Sequence, residues 1–226
     1  MTNRLRWLGH SGWQITTGKG KVFLIDPWLT GNPLAPLRLD ELPAADFALF
    51  THDHEDHTGD AVAVSAHTGA VLVGQPETTS AFQERGAKRV LAMNIGGSVD
   101  LDGVIVTMTD ACHTSATGVP ASYVLTLEDG KVLYHAGDTG LHANMAIWGE
   151  LFDIDIALLP IGDRFTMDAR QAAKALKLLR AKAVLPMHYK TFPLLAQDAT
   201  QFVKFAEREA PRTKVHVVEP GEELTF

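Results

Sequence analysis

A chain of 226 residues, 46% apolar and 21% charged, carries enough material for a layered globular core. Its 20 basic and 27 acidic residues leave a net charge of −7 with no basic block, which argues against a nucleic-acid groove. The lone Cys112 excludes an internal disulfide and fits a reducing compartment, and no apolar run approaches the roughly 18 residues of a membrane span.

The N-terminal stretch Trp7–Ile15 is apolar but broken by Gly9, His10, Ser11 and Gly12, so it does not read as a signal peptide, and a cytoplasmic location is expected. Gly18-Lys19-Gly20 reads as a turn before a strand at Val22–Ile25. Asn32–Pro43 reads as a long loop and a candidate lid. Strands are expected at Phe47–Phe50 and Val71–Val73, with weaker helical patterns over Thr58–His67 and Pro76–Arg85. Further strands follow at Val104–Val106, Tyr123–Leu127 and Val132–Tyr134, the last two joined by an Asp129-Gly130 hairpin signal. The remaining apolar runs are Ile154–Leu159, Ala183–Leu185 and Val215–Val218. Between them, Ala169, Ala172, Ala173, Leu176 and Leu179 form a one-face helical stripe opened by Asp168 and Gln171 as a capping pair. A second stripe, Ala199, Phe202, Val203 and Ala206, follows Asp198 as its expected N-cap. No repeat or composition shift marks a boundary, so residues 1–226 read as a single domain of packed sheets with helices outside.

The most informative segment is Thr51-His52-Asp53-His54-Glu55-Asp56-His57, directly after the run Phe47–Phe50. No packing requirement calls for three imidazoles and a carboxylate so close together. Alternate residues of an extended segment point the same way, so His52 and His54 can grip one ion. Asp56 and His57, where the chain turns away, can face a second. Nitrogen with some oxygen is the donor set of zinc-like divalent ions. One motif cannot close two sites, and three further candidates stand just beyond apolar runs. They are His113 in Cys112-His113-Thr114-Ser115, Asp138 in Gly137-Asp138-Thr139-Gly140, and His188 in Pro186-Met187-His188-Tyr189. Singly, each reads equally well as a hydrogen-bonded loop residue or a turn former.

Together, in this order, these pieces resemble the metallo-β-lactamase superfamily. The chain is similar in particular to a bacterial branch of metal-dependent hydrolases related to L-ascorbate-6-phosphate lactonase. That likeness rests on Leu8-Gly9-His10-Ser11, His135-Ala136-Gly137-Asp138-Thr139-Gly140-Leu141, Leu159–Met167 and Pro186–Pro193. It implies an α+β fold, a four-layer αββα sandwich of two mixed sheets with helices on the outer faces and the site in a cleft between sheet edges. It also implies that His52, His54 and His113 hold one ion, that Asp56, His57 and His188 hold a second, and that Asp138 bridges both. Two divalent ions follow, zinc foremost, with manganese, iron or nickel suited to the same donors. The implied activity is hydrolysis of a small ester, lactone or phosphodiester by a hydroxide bridging the ions, with Asp56 also orienting the nucleophile and taking its proton. Three positions depart from the branch: Glu55 and Asp168, where Gly is usual, and Lys190, where Asn is usual. None falls on an implied ligand.

Beyond the ligands, His10 reads as a substrate contact, a residue supporting the ligands or a buried histidine satisfied by backbone. Arg164 and Lys190 are the candidates to receive an anionic group, with solvated loop charges as the alternative, and Tyr189, with Thr191, is a candidate donor to a developing oxyanion. His135, three positions before Asp138, is expected to be structural. His67, His142 and His216 read as surface or helix-end residues, and Cys112 as a small buried packing residue. The expected partner is a small molecule able to carry an anionic group, with no nucleic acid and no membrane; a homo-oligomer is a family-level expectation. Three other function classes compete. A ribonuclease-like phosphodiesterase shares the ligand set, but such relatives carry an exosite arm or inserted domain for which 226 residues leave no room, and the acidic balance argues against RNA. Diiron oxidoreductase relatives place Glu where this chain has His54 and add a flavin domain. A non-catalytic scaffold on the same fold would lack ligands, and all seven are present.

Overall fold

A computed structural model describes residues 2–226. Backbone contacts divide the chain into two compact units. The first comprises the chain up to Gly97 with Thr114–Val119 and Val218–Phe226; the second comprises Ser98–His113 and Pro120–Val217.

The first unit contains β1 (Arg4–Gly9), β2 (Gly12–Thr16), β3 (Val22–Ile25), β4 (Phe47–Leu49), β5 (Val71–Gly74), β6 (Val90–Ala92) and the final strand β14 (Glu223–Thr225). They form one seven-stranded sheet in the order β14-β1-β2-β3-β4-β5-β6. Strands β14 to β3 pair antiparallel, whereas β3 to β6 pair parallel. The hairpin β1–β2 is fixed by Trp7 opposite Trp13, whose rings stack with centroids 6.0 Å apart. Its turn needs Gly9, at φ +87°, because a Cβ there would lie 2.8 Å from the Leu34 carbonyl oxygen. Strand β4 is buried throughout, as its unbroken apolar run requires of an interior parallel strand. Helices α1 (Glu55–Thr58), α2 (Ala61–Thr68) and α3 (Pro76–Glu84) complete the unit, with Phe82 of α3 edge-on to Phe50 at 5.0 Å. The loop over Asn32–Pro43 contains a 3₁₀ turn at Leu39–Glu41. Its base is pinned by Asn32, which donates to the Trp28 carbonyl and accepts from the Leu34 N–H.

The second unit contains β7 (Ser98–Leu101), β8 (Val104–Asp110), β9 (Ala121–Thr126), β10 (Val132–His135), β11 (Ile156–Pro160), β12 (Ala183–Met187) and β13 (Lys214–Val215). Its sheet runs β13-β12-β11-β10-β9-β8-β7 and follows the same plan, antiparallel from β7 to β10 and parallel from β10 to β13. Helices α4 (Met145–Leu151), α5 (Ala169–Leu179) and α6 (Thr200–Glu209) accompany it. Helix α5 is the stripe read from the sequence, with the Asp168 carboxylate accepting the Gln171 N–H at 2.6 Å. Helix α6 starts later than expected. Ala199 occupies the N-cap, while Asp198 accepts the Thr200 N–H from one position outside.

Two mixed sheets with helices match the expected α+β class. Strands β1, β2, β6, β7 and β14 and helix α4 are additions to the sequence reading, and the expected strand Val215–Val218 shrinks to Lys214–Val215. The expected helix Thr58–His67 is replaced by α1 and α2, interrupted at Gly59-Asp60. Among the described residues, no helix is long and apolar enough to cross a membrane.

Candidate metal centre

In both sheets, most ligand-type residues lie in loops that leave the carboxyl ends of parallel strands, where an open α/β sheet leaves room for a ligand; His10 and His113 instead follow the antiparallel strands β1 and β8. In the first unit, Asp26 follows β3 and the histidine motif follows β4, while His10 sits in the β1–β2 turn. Asp26 is fully buried. Its carboxylate accepts the Thr51 N–H at 2.9 Å, the Thr51 hydroxyl at 2.7 Å and His57 Nδ1–H at 2.8 Å. The Thr51 hydroxyl, having spent its proton on Asp26, accepts from His52 Nδ1 at 3.0 Å. Both imidazoles therefore carry their proton on Nδ1 and keep the Nε2 lone pair for another partner. His52 Nε2 lies 2.9 Å from His54 Nδ1. The rings of His52 and His57 approach to 4.2 Å between centroids. One donor atom from each of His10, Asp56 and His57 lies within 4.8 Å of the others, and His10 Nε2 donates to Asp56 Oδ2 at 3.1 Å.

In the second unit, Asp138 follows β10, His188 follows β12 and His113 follows β8. A single oxygen of Asp138, Oδ2, is 2.9 Å from His188 Nε2 and 3.7 Å from His113 Nε2. Asp138 and His188 are both buried. The turn after Asp138 is stitched to the residue before His113: Thr139 Oγ1 accepts the Cys112 N–H at 2.9 Å, and the Gly140 N–H donates to the Cys112 carbonyl at 2.9 Å. His188 is held against Gly162, where a Cβ would meet the His188 carbonyl oxygen at 2.2 Å. Arg164 and Lys190 are exposed, Arg164 lying over the Phe165 ring at 5.6 Å, whereas Tyr189 is buried.

Among the described residues, eight non-glycine residues adopt left-handed backbone, and six of them, His10, Asp26, Asp163, Arg164, His188 and Lys190, sit in these loops. Such conformations cost about 1–3 kcal/mol each and persist where the surroundings enforce them. The donor chemistry fits divalent metal: imidazole nitrogens and carboxylate oxygens, with the Nδ1 protons of His52 and His57 drawn away from their Nε2 atoms.

The sequence profile of the Beta-lactamase superfamily domain matches residues 21–189. The chain is 47% identical to a UPF0173 metal-dependent hydrolase of Nitratidesulfovibrio vulgaris, over 100% of this chain and 96% of that protein. A UPF0173 metal-dependent hydrolase of Pyrobaculum islandicum is also 47% identical, covering 98% and 99%. The solved structure of Igni18, a metallo hydrolase from Ignicoccus hospitalis, superposes with a TM-score of 0.93 at 41% identity over 100% of this chain and 99% of that one. The chain belongs to the metallo-β-lactamase superfamily. It is a metal-dependent hydrolase with that superfamily's fold.

Several side chains of this superfamily member differ from their sequence reading. Cys112 was expected to be buried and is exposed, because β8 ends at Asp110 and the chain is already turning. His142 is largely buried, not at the surface; burial lowers its pKa, opposed by Asp110, whose Oδ2 is 3.7 Å away. His135 is buried, its Nδ1 accepting the Gly137 N–H. The residue that sequence reasoning missed is Asp26. Its only signal was an Asp-Pro pair closing the run Val22–Ile25.

Proposed function

We propose that the ligand set of the superfamily is complete in this chain and holds two divalent ions, zinc foremost. His52, His54 and His113 take one, Asp56, His57 and His188 the other, and Asp138 is shared. The family profile spans residues of both compact units, which supports reading them as one hydrolase domain. The observation that carries the proposal is the direction of the imidazole protons. Asp26 and Thr51 draw the Nδ1 protons of His57 and His52, leaving Nε2 for metal. His52 Nε2 and His54 Nδ1 lie 2.9 Å apart, so the two nitrogens would be placed to hold the same ion.

When bound, two such ions supply Lewis acidity and bring the pKa of a water toward neutrality. The chain's own groups do the rest. His10 donates to one oxygen of Asp56 and so fixes the carboxylate, leaving the other oxygen to orient the nucleophile and accept a proton. Arg164 and Lys190 offer exposed cations to an anionic substrate group, and Tyr189 belongs to the same substrate contact. The substrate on this reading is a small ester, lactone or phosphodiester, and the protein works in the cytoplasm. A net charge of −7 favours a small molecule over RNA.

Elemental analysis of the purified protein, followed by a panel of lactones, aryl esters and bis-p-nitrophenyl phosphate beside a structured RNA, tests this. About two equivalents of metal and turnover of a small ester are expected. RNA cleavage without small-ester turnover, or fewer than two equivalents of metal, overturns it.

A further inference from the structure

Asp53, between His52 and His54 in the motif, takes no part in the ligand set, yet its carboxylate is saturated. Oδ1 accepts from Ser115 Oγ at 2.8 Å and from the Ala116 N–H at 2.9 Å. Oδ2 accepts from the Thr117 N–H at 2.5 Å and from Thr117 Oγ1 at 2.7 Å. Four donors on two oxygens leave no lone pair directed at an ion. The same segment is fastened twice more within the first unit. Gln75 Oε1 accepts the Val119 N–H at 2.7 Å, and Thr78 Oγ1 meets Thr117 Oγ1 at 3.2 Å. The backbone so gripped begins two residues after His113.

We propose that Asp53 is a positioning residue for His113: by holding Ser115–Thr117 it fixes the chain just beyond this histidine, so that His113 is set to share an ion with His52 and His54. The inference rests on the two-ion reading above. It gives the second residue of the motif a reason to be a carboxylate. Only an anion with two oxygens meets four convergent donors, two of them backbone N–H groups that no substitution in the 115–117 segment can supply elsewhere.

The test is Asp53→Asn, with Thr117→Val as a milder variant that removes one hydroxyl. Each apoprotein is titrated with cobalt(II) and zinc(II) against a competing chelator, and the cobalt absorption spectrum and the apo melting temperature are recorded. Wild type is expected to take two equivalents. Asp53→Asn should bind one equivalent as wild type does and the other at least tenfold more weakly, with the cobalt bands of that site alone altered. Thr117→Val should shift the same equivalent in smaller measure, and it carries the test if Asp53→Asn does not fold. A loop staple with no bearing on His113 would lower the melting temperature and leave both affinities unchanged, or weaken both in step; either result overturns the role of Asp53. A wild type that takes fewer than two equivalents overturns the two-ion reading itself, and the role of Asp53 with it.

Discussion

Asp26 Oδ2 lies 2.8 Å from His57 Nδ1, with neither side chain exposed to solvent. The same carboxylate reaches His52 through the Thr51 hydroxyl. One buried anion, from a different strand, thus sets the tautomer of two histidines in the motif. Replacing Asp26 by alanine leaves three buried donors without their acceptor, each costing about 1–3 kcal/mol. Removing such an outer partner lowers metal affinity by roughly ten- to a hundredfold. Thermal melts of the apoprotein and competition titrations with a chelating dye measure the two effects separately. Wild-type affinity in Asp26→Ala would show that the tautomers are set by something else.

The proposed ligands are tested by His52→Ala, His113→Ala and Asp138→Ala. Each is expected to lower metal content and abolish hydrolysis. Asp138→Ala should be the most damaging to metal content, because its Oδ2 faces both His188 and His113. Metal analysis after dialysis, beside turnover of whichever ester the wild type accepts, checks this. Full activity in any of the three removes that residue from the centre.

Gly162→Ala and Gly149→Ala form a matched pair in the second unit. Both put a Cβ into a backbone carbonyl oxygen, that of His188 at 2.2 Å for Gly162 and that of Leu178 at 2.4 Å for Gly149. Each should cost stability, about 1–3 kcal/mol from overpacking. Only Gly162→Ala displaces His188, so only it should also lose metal, whereas Gly149→Ala disturbs the approach of α4 to α5. Equal metal content in the two variants contradicts this division.

Asp155 gives a pH dependence that lies away from the ligands. Burial raises its pKa, but the Val132 N–H, Lys182 and Lys131 together lower it further than burial raises it. A carboxyl whose folded pKa lies below its unfolded value contributes stability that is fully present above the unfolded pKa. That contribution is lost as pH falls through the folded one. The melting temperature of Asp155→Asn should therefore lie below wild type near neutral pH, and the gap should close on acidification. A gap that widens as pH falls reverses the sign and refutes the assignment.

What the sequence made legible followed from local rules. Helix α5 announced itself by period and cap, β4 by an unbroken apolar run, and the motif by a concentration of imidazole that packing does not explain. What it hid depends on partners distant in the chain. Asp26 meets Thr51 and His57, 25 and 31 positions later, and no local pattern specifies such a meeting. The hairpin β1–β2 was obscured because its turn, Gly9–Gly12, interrupts the apolar run that would have marked a strand. Edge strands β6 and β7 are short and only partly buried, so little hydrophobic alternation remains to betray them. Cys112 failed for a related reason: burial at a strand end depends on where the strand stops.

The left-handed residues of the site loops bear on how this protein would respond to selection in the laboratory. At His10, Asp26, Asp163, Arg164, His188 and Lys190, glycine or asparagine would relax the backbone at once. A screen for heat tolerance alone would drift toward such replacements at exposed Arg164 and Lys190, where little packing opposes them. The hardier variants would give up the two cations proposed above to meet the substrate. On that proposal robustness and turnover are opposed at these positions, and a library that spares them would gain the first without surrendering the second.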